Sequence, residues 1–288
     1  MPVDTFIIIN ADDFGWTEGI NEGIITAHRH GVLTSATLLA NARATRHAID
    51  LLRLWPNLSV GVHLSYHLGE PLLPRHELDA LFDPDGRPKF SIPKLWAAVT
   101  LWKKVRHQLD AHFRSQVEQL LRFGLSLTHL DTHKHLHFWP AVFELVAKIA
   151  ADYKIPAVRL IREDPTDRGP SVAKLRLGLA AMYWTSYVNQ YKVAKYNLRC
   201  PDRLAGIIQT GQWTKQTFMD IVRSARPGVM EIMTHPGYPE GLDKEPTRLV
   251  QSREAELEIL TYPLVKEYFH QWPATTKLIG YRDLPGLR

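Results

Sequence analysis

IIINADDFG, residues 7–15, joins a short apolar run to two adjacent carboxylates and a glycine. The three isoleucines are β-branched and predict a buried strand, which we place at residues 5–10. A helical pattern follows at residues 18–30, and Gly15 allows the sharp turn between the two. A strand that leads directly into a helix is the repeating unit of a parallel α/β sheet.

The same unit recurs along the whole chain. Short aliphatic or β-branched runs predict further strands at 34–40, 58–64, 125–131, 157–161, 206–209, 229–234 and 276–280. Helical periodicity fills the gaps at 43–54, 102–123, 140–153, 172–196, 214–225 and 247–269, and residues 69–94 are expected to form a long surface loop. Regular alternation predicts an α/β fold with parallel strands, and eight strands favour a (β/α) barrel, closed or distorted.

Length, cysteine content and charge limit the class of protein. The 288 residues fit a single domain over 1–288, and the one cysteine excludes an internal disulfide. We expect a cytoplasmic protein, because the N-terminus lacks the basic region of a signal peptide and no stretch of 18 apolar residues occurs.

Residues 171–203 carry six basic residues against one acid, an excess equal to the net charge of +5. We expect a basic amphipathic helical insertion at about 165–205 and no nucleic-acid partner.

Polar residues follow most of the predicted strands. In a parallel α/β fold the functional site lies at the carboxyl ends of the strands, so these residues are expected to share one rim. They are Asp12 and Asp13 after the first strand, Asn41 after the second, His63 near the end of the third, Asp131 and His133 at the fourth, Arg162 after the fifth, and His235 after the seventh.

Residues 129–137 place four imidazoles and one carboxylate within nine positions. In an extended chain, positions i, i+2 and i+4 share one face, so His129, Asp131 and His133 can point at one small volume. Such a group is typical of a site for a first-row divalent metal. The alternative is that the histidines cap helices or form the polar surface of a loop.

Three other positions have a functional and a structural interpretation. Asp12 and Asp13 repel one another unless a cation lies between them, although either one can instead cap the following helix. His63 interrupts an apolar strand, where it is either a metal ligand or a hydrogen-bonded core residue. His235 is held by the proline at 236 and is either a general acid or base or a turn histidine facing solvent.

The chain resembles the YdjC-like carbohydrate deacetylases, the family that includes the chitooligosaccharide deacetylase ChbG and the hopanoid-associated HpnK. The resemblance is carried by NADDFG at 10–15, GVHL at 61–64, THLDTHKHLH at 128–137 and MTHPG at 233–237. These motifs span most of the chain in order, and residues 165–203 do not match the common core of the family.

The resemblance implies one divalent cation, zinc or magnesium, bound by Asp13, His63 and His133. It also implies that Asp12 is the general base and His235 the general acid of a hydrolase that removes an N-acetyl group from a carbohydrate or glycolipid. The sequence leaves open which of the two aspartates is the base and which the ligand. The residues expected to orient the ligands or contact substrate are His129, Asp131, His137, Asn41 and Arg162.

Lys134 stands where typical members of the family have a histidine, and this is more similar to the hopanoid-associated branch. Residues 172–196 combine aromatic and basic side chains, so they predict either peripheral contact with an anionic membrane surface or a helix packed on the core. The same metal group also fits a phosphoesterase or another amidohydrolase, and a non-catalytic sugar-binding protein is the third alternative. The sequence allows a homo-oligomer.

Overall fold

The computed structural model describes residues 4–163, 172–243, 245, 247–272 and 275–285; within the helix that starts at Val172, side chains are described at Ala181 and from Tyr183 onward. In this part of the chain, eight parallel strands form one sheet in the order β5-β4-β3-β2-β1-β7-β6, with β8 paired to β1. The strands are β1 Thr5–Phe14, β2 Ser35–Leu38, β3 Ser59–Leu64, β4 His129–Thr132, β5 Ala157–Val158, β6 Arg203–Ala205, β7 Gly228–Thr234 and β8 Thr276–Leu278.

The sheet curls around β1, whose isoleucines are fully buried. One side of β1 pairs with β7, while the other pairs with β8 over its first residues and with β2 from Asn10 onward. The two outer strands approach each other through isolated bridges at Ala157–Arg199 and Glu163–Leu204. The predicted parallel α/β fold is therefore confirmed, and its form is a strongly curled, incompletely closed barrel.

The helices connect the strands and cover the outside of the sheet. They are α1 Glu18–His30, α2 Thr45–Leu54, α3 Ile92–Leu101, α4 Lys103–Arg122, α5 Pro140–Asp152, α6 Val172–Lys195, α7 Lys215–Arg223, α8 Gln251–Thr261 and α9 Pro263–His270. Thr17 caps α1, because its hydroxyl accepts a hydrogen bond from the Ile20 amide at 3.1 Å. Neither Asp12 nor Asp13 is needed as the cap, so both carboxylates are available to the site.

Some predicted boundaries are wrong. The sixth strand ends at Ala205, before the predicted 206–209, because Gly206 has φ +121° and the Glu163 carboxylate accepts from its amide at 2.9 Å. The predicted helix 247–269 is two helices, since Pro263 lacks an N–H and starts α9. Helix α3 begins inside the predicted loop 69–94, and strands four and five are shorter than 125–131 and 157–161.

Helix α6 lies within the predicted insertion at 165–205. It connects β5 to β6 and packs against α5, where Lys195 Nζ donates to Glu144 Oε1 at 2.7 Å. Residues 165–171 of the predicted insertion lie outside the described residues. Among the described helices, none combines the length and apolar character needed to span a bilayer.

Candidate metal centre

The end of β1 directs both aspartates into one cavity. Consecutive strand residues normally point to opposite faces of a sheet, but Asp13 has φ +69° and the pairing of β1 with β2 shifts register between Ala11 and Phe14. This irregularity lets Asp12 and Asp13 line the same cavity. A left-handed backbone at a non-glycine residue costs on the order of 1–3 kcal/mol, so the surrounding structure must hold it in place.

Asp13, His63 and His133 come together at the carboxyl ends of the strands. The Asp13 Oδ1 atom lies 3.0 Å from His133 Nδ1 and 3.4 Å from His63 Nε2. One ligand atom from each residue falls within 4.8 Å of the other two, and all three side chains are buried. Ligands held at about 2.0–2.2 Å from one cation lie roughly 3 to 3.5 Å apart, so this carboxylate and these imidazoles fit a divalent metal.

A second group, Asp12, His63 and Asp131, is close enough for a metal by the same distance criterion. In this second group, however, the guanidinium cation of a buried arginine already lies between the two carboxylates. The Arg159 guanidinium donates to both Asp12 oxygens at 2.8 and 2.7 Å and lies 2.6 Å from Asp131 Oδ2. Arg159 therefore neutralises this second group, which leaves Asp13, His63 and His133 as the candidate metal ligands.

Arg159 is the centre of a larger buried network. It is fully buried and also donates to Glu231 Oε1 from Nε at 2.9 Å and from Nη2 at 2.7 Å. The other Glu231 oxygen accepts from the Tyr281 hydroxyl at 2.6 Å. Burial alone would raise the pKa of Asp12, but the charge and hydrogen bonds of Arg159 outweigh it and hold that pKa well below its usual range.

His63 is oriented by the groups behind its ring. Its Nδ1 atom lies 2.7 Å from Asp131 Oδ1 and 3.2 Å from the Thr37 hydroxyl, so Nε2 faces Asp13. Burial opposes the charged imidazole, but Asp131 and then Asp13 outweigh it and raise the pKa of His63 to about 10. Asp13 itself accepts a hydrogen bond of 2.5 Å from Arg253 on α8.

His235 lines the same cavity from the end of β7. Its backbone amide donates to Glu256 Oε2 at 2.6 Å, and Pro236 restricts its backbone, so the ring is held in place. Burial lowers the pKa of His235 to about 4, and burial raises the pKa of Glu256 to about 8. At pH 7 the imidazole is neutral and can accept a proton.

The structure places His129 and His137 behind the cavity wall. The His129 ring is fully buried and stacks on Tyr281, with 3.6 Å between ring centroids and an interplanar angle of 5°. His137 is also fully buried, and its Nδ1 atom lies 2.6 Å from the Thr132 hydroxyl. Among the described residues, neither histidine lines the cavity, so neither is placed to contact substrate there.

Asn41 and Arg162 also lie outside the cavity wall that the structure describes. Asn41 donates to the Glu70 carbonyl at 2.7 Å and so ties two loops together. Arg162 donates to the Ser186 hydroxyl at 3.2 Å on the side that faces α6. Arg159, three residues earlier and inside a predicted strand, is the arginine that reaches the centre.

The cavity has a volume of about 520 Å³. Besides the two aspartates and three histidines described above, its wall includes a fourth histidine, His135, together with Trp16, Lys134, Ile207, Arg248 and Leu249. Lys134 reaches it from a strained turn in which Lys134 and His135 have φ angles of +53° and +55°. The wall thus combines a carboxylate and imidazole floor with a mixed apolar and basic rim.

The protein is a curled parallel α/β barrel, and a buried group of carboxylates and imidazoles lies at the carboxyl ends of its strands. It therefore belongs to the class of α/β barrels with a candidate metal site at the strand ends. Over residues 6–271 the chain matches the family described as YdjC-like protein. It is similar to a carbohydrate deacetylase of Brevibacillus brevis, with 32% identity over 92% of this chain and 94% of that protein. A carbohydrate deacetylase of Geobacillus stearothermophilus is 31% identical over 96% and 97% of the two chains.

A crystal structure from Enterococcus faecalis, provisionally named a cellobiose-phosphate cleavage protein, is similar in fold. Its TM-score is 0.72 at 24% identity, covering 96% of this chain and 98% of that one. The chain belongs to the YdjC-like protein family, as the motifs at 10–15, 61–64, 128–137 and 233–237 predict.

We predict that Arg159→Met destabilises the protein by about 3–5 kcal/mol, because it leaves three buried carboxylates without their shared cation. Arg162→Met is the matched control. Arg162 contacts Ser186 on the α6 side, so this substitution should lower the free energy of unfolding by less than about 1 kcal/mol. Urea unfolding of both variants measures the difference. Equal losses of unfolding free energy in the two variants would contradict the role of Arg159 as the shared partner of the three buried carboxylates.

Metal binding should release a proton. The metal-free protein holds a proton on His63 at pH 7.5, because the pKa of His63 is about 10, and a cation can bind only the deprotonated imidazole. Affinity for zinc should therefore rise with pH, by about tenfold per unit below that pKa. Calorimetry in buffers of different ionisation enthalpy counts the proton, and His107→Ala on α4 is the control. Binding without proton release would contradict the ligand role of His63.

Proposed function

We propose that this protein is a metal-dependent hydrolase that removes the N-acetyl group from an N-acetylhexosamine-containing carbohydrate, releasing acetate and a free amine. One observation carries the proposal. The candidate metal ligands Asp13, His63 and His133 share a cavity with a further carboxylate and imidazole. These two groups, on Asp12 and His235, are not part of that ligand set and are available for proton transfer. The carbohydrate deacetylases to which the chain is similar provide the substrate class.

The proposed cofactor is one divalent cation, zinc or magnesium, held by Asp13, His63 and His133. When bound, such a cation supplies Lewis acidity toward water and toward an amide carbonyl. Two imidazoles and one carboxylate form a ligand set that suits zinc, whereas magnesium prefers oxygen ligands.

Asp12 and His235 handle the protons in this proposal. Asp12 stays ionised because of Arg159, and it accepts the proton that water loses on attacking the acetyl carbonyl. His235 donates the proton that the amine nitrogen gains when the carbon–nitrogen bond breaks. Because the pKa of His235 is about 4, its imidazole is neutral at pH 7 and first receives the proton that Asp12 took from water, which leaves Asp12 ionised again.

Asp12→Asn should lower acetate release by about 10² to 10⁴-fold, since asparagine cannot accept the proton. Its metal content should stay unchanged, whereas Asp13→Asn should lose metal. Acetate assays together with elemental analysis separate the two roles, and Asp50→Asn on the exposed face of α2 is the control. The reverse pattern would exchange the assignments of the two aspartates. Phosphate release in place of acetate release would favour the phosphoesterase alternative.

We further propose a lipid-linked substrate of the hopanoid-associated type and peripheral contact with the inner face of the cytoplasmic membrane. Support comes from α6, whose Trp184 and Tyr191 side chains are each 73% exposed, with Tyr187 and Val188 also exposed between them. Aromatic side chains of this kind favour the interface of a bilayer.

Trp184→Ser should reduce flotation with liposomes that contain anionic lipid, by about threefold or more at low salt. Trp102→Ser is the matched control, because Trp102 is also exposed but lies at the start of α4. Absence of flotation by the unaltered protein, or equal loss in both variants, would contradict membrane contact through α6.

A further inference from the structure

Tyr281 is a buried tyrosine near the end of the chain. It is 1% exposed and begins the short helical turn Tyr281–Asp283, directly after β8. β8 pairs with β1 over Thr5–Ile7, and β2 takes over the pairing with β1 from Asn10 onward. The chain therefore leaves the sheet after β8, and this brings the Tyr281 ring to the charged side chains inside the curled sheet.

Close packing and hydrogen bonds fix the segment around Tyr281. Gly280 passes so close to the start of β3 that a Cβ atom at this position would overlap the Ser59 hydroxyl. The Arg199 guanidinium donates to the Leu284 carbonyl at 2.8 Å and holds the other side of the segment. Because the backbone is held on both sides, the Tyr281 ring has a defined position.

The Tyr281 hydroxyl donates to Glu231 Oε2 at 2.6 Å. Among the described residues, the structure shows no second donor to this oxygen, and Glu231 is fully buried. Burial and the charge of Glu231 raise the pKa of Tyr281 well above its usual range, so the hydroxyl stays protonated and donates. Without this hydroxyl, one oxygen of a buried carboxylate would lack a partner, which is unfavourable.

Glu231 transmits the effect of this hydrogen bond to Arg159. Its other oxygen, Oε1, accepts from Arg159 Nε at 2.9 Å and from Nη2 at 2.7 Å. On its far side the guanidinium donates to both oxygens of Asp12, at 2.8 and 2.7 Å. A guanidinium is planar and rigid, so fixing the edge that faces Glu231 also fixes the edge that faces Asp12.

We propose that Tyr281 is a positioning residue for the proposed deacetylation. Through Glu231 and Arg159, its hydroxyl holds the Asp12 carboxylate in the orientation that accepts a proton from the attacking water. Tyr281 is not among the described residues that line the reaction cavity, so it acts only through these neighbours. This inference rests on the proposed function, because it takes Asp12 as the base.

The first test is Tyr281→Phe in the metal-loaded protein, with N,N′-diacetylchitobiose as substrate. Phenylalanine keeps the ring that stacks on His129 and removes only the hydroxyl. We expect kcat for acetate release to fall by about tenfold and KM to change by less than about twofold, because only the orientation of the base is disturbed. In a Glu231→Gln background, the same substitution should change kcat by less than about twofold, since the two residues act in series. A full tenfold loss in that background would contradict the route through Glu231.

Tyr66→Phe is the matched control. Tyr66 is 2% exposed, and its hydroxyl donates to the Leu81 carbonyl at 3.0 Å, outside the Arg159 network. Each substitution removes one buried hydroxyl, so both should lower the free energy of unfolding. Only Tyr281→Phe should lower kcat, while Tyr66→Phe should leave it within about twofold. Equal falls in kcat in the two variants, or an unchanged kcat in Tyr281→Phe, would overturn the inference.

A second measurement does not depend on activity. The Arg159 Nε–H group donates to Glu231, so its hydrogen exchange with solvent reports how firmly these two side chains are held. Nitrogen-15 NMR should show exchange about tenfold faster in Tyr281→Phe and unchanged in Tyr66→Phe. If no acetate is released from any N-acetylated sugar, the proposed function fails, while faster exchange would still support the positioning of Arg159 by Tyr281. Unchanged exchange in Tyr281→Phe would refute that positioning.

Discussion

The contact between Arg159 and three carboxylates is the constraint on which the rest of the centre depends. A guanidinium with no exposure to solvent is tolerated only when its charge and its donors are matched, and Asp12, Asp131 and Glu231 provide both. These carboxylates come from β1, β4 and β7, and the arginine follows β5. One ion cluster thus joins four strands across the inside of the curled sheet.

The same cluster separates the roles of two adjacent aspartates. Asp12 is held by Arg159, whereas Asp13 is turned by its left-handed backbone toward His63 and His133. Identical side chains, one residue apart, therefore have different neighbours and different chemistry. The remaining support comes from a distant part of the chain, where Arg253 on α8 holds the second oxygen of Asp13.

The sequence indicates the strands and their carboxyl ends well, because β-branched runs followed directly by polar residues identify both. Asp12, Asp13, His63 and His133 could be placed on one rim in this way, whereas the choice of Asp13, His63 and His133 as the ligands came from the family resemblance. Arg159 and Glu231 carried a signal too, since each is a charged residue within a predicted buried strand, and such a residue needs a partner. Arg253 had no local signal, because its partner lies 240 residues away and its position is decided by how α8 packs.

The left-handed backbone at Asp13 also limits how this centre can change over evolution. Glycine adopts that conformation freely, and aspartate and asparagine adopt it with less strain than longer or branched side chains. A longer acidic ligand is therefore disfavoured at that position by the main chain itself. Among the three candidate ligands, His63 and His133 lie outside the left-handed region. Substitutions that change the metal preference are therefore easier at these two imidazole positions than at the carboxylate position.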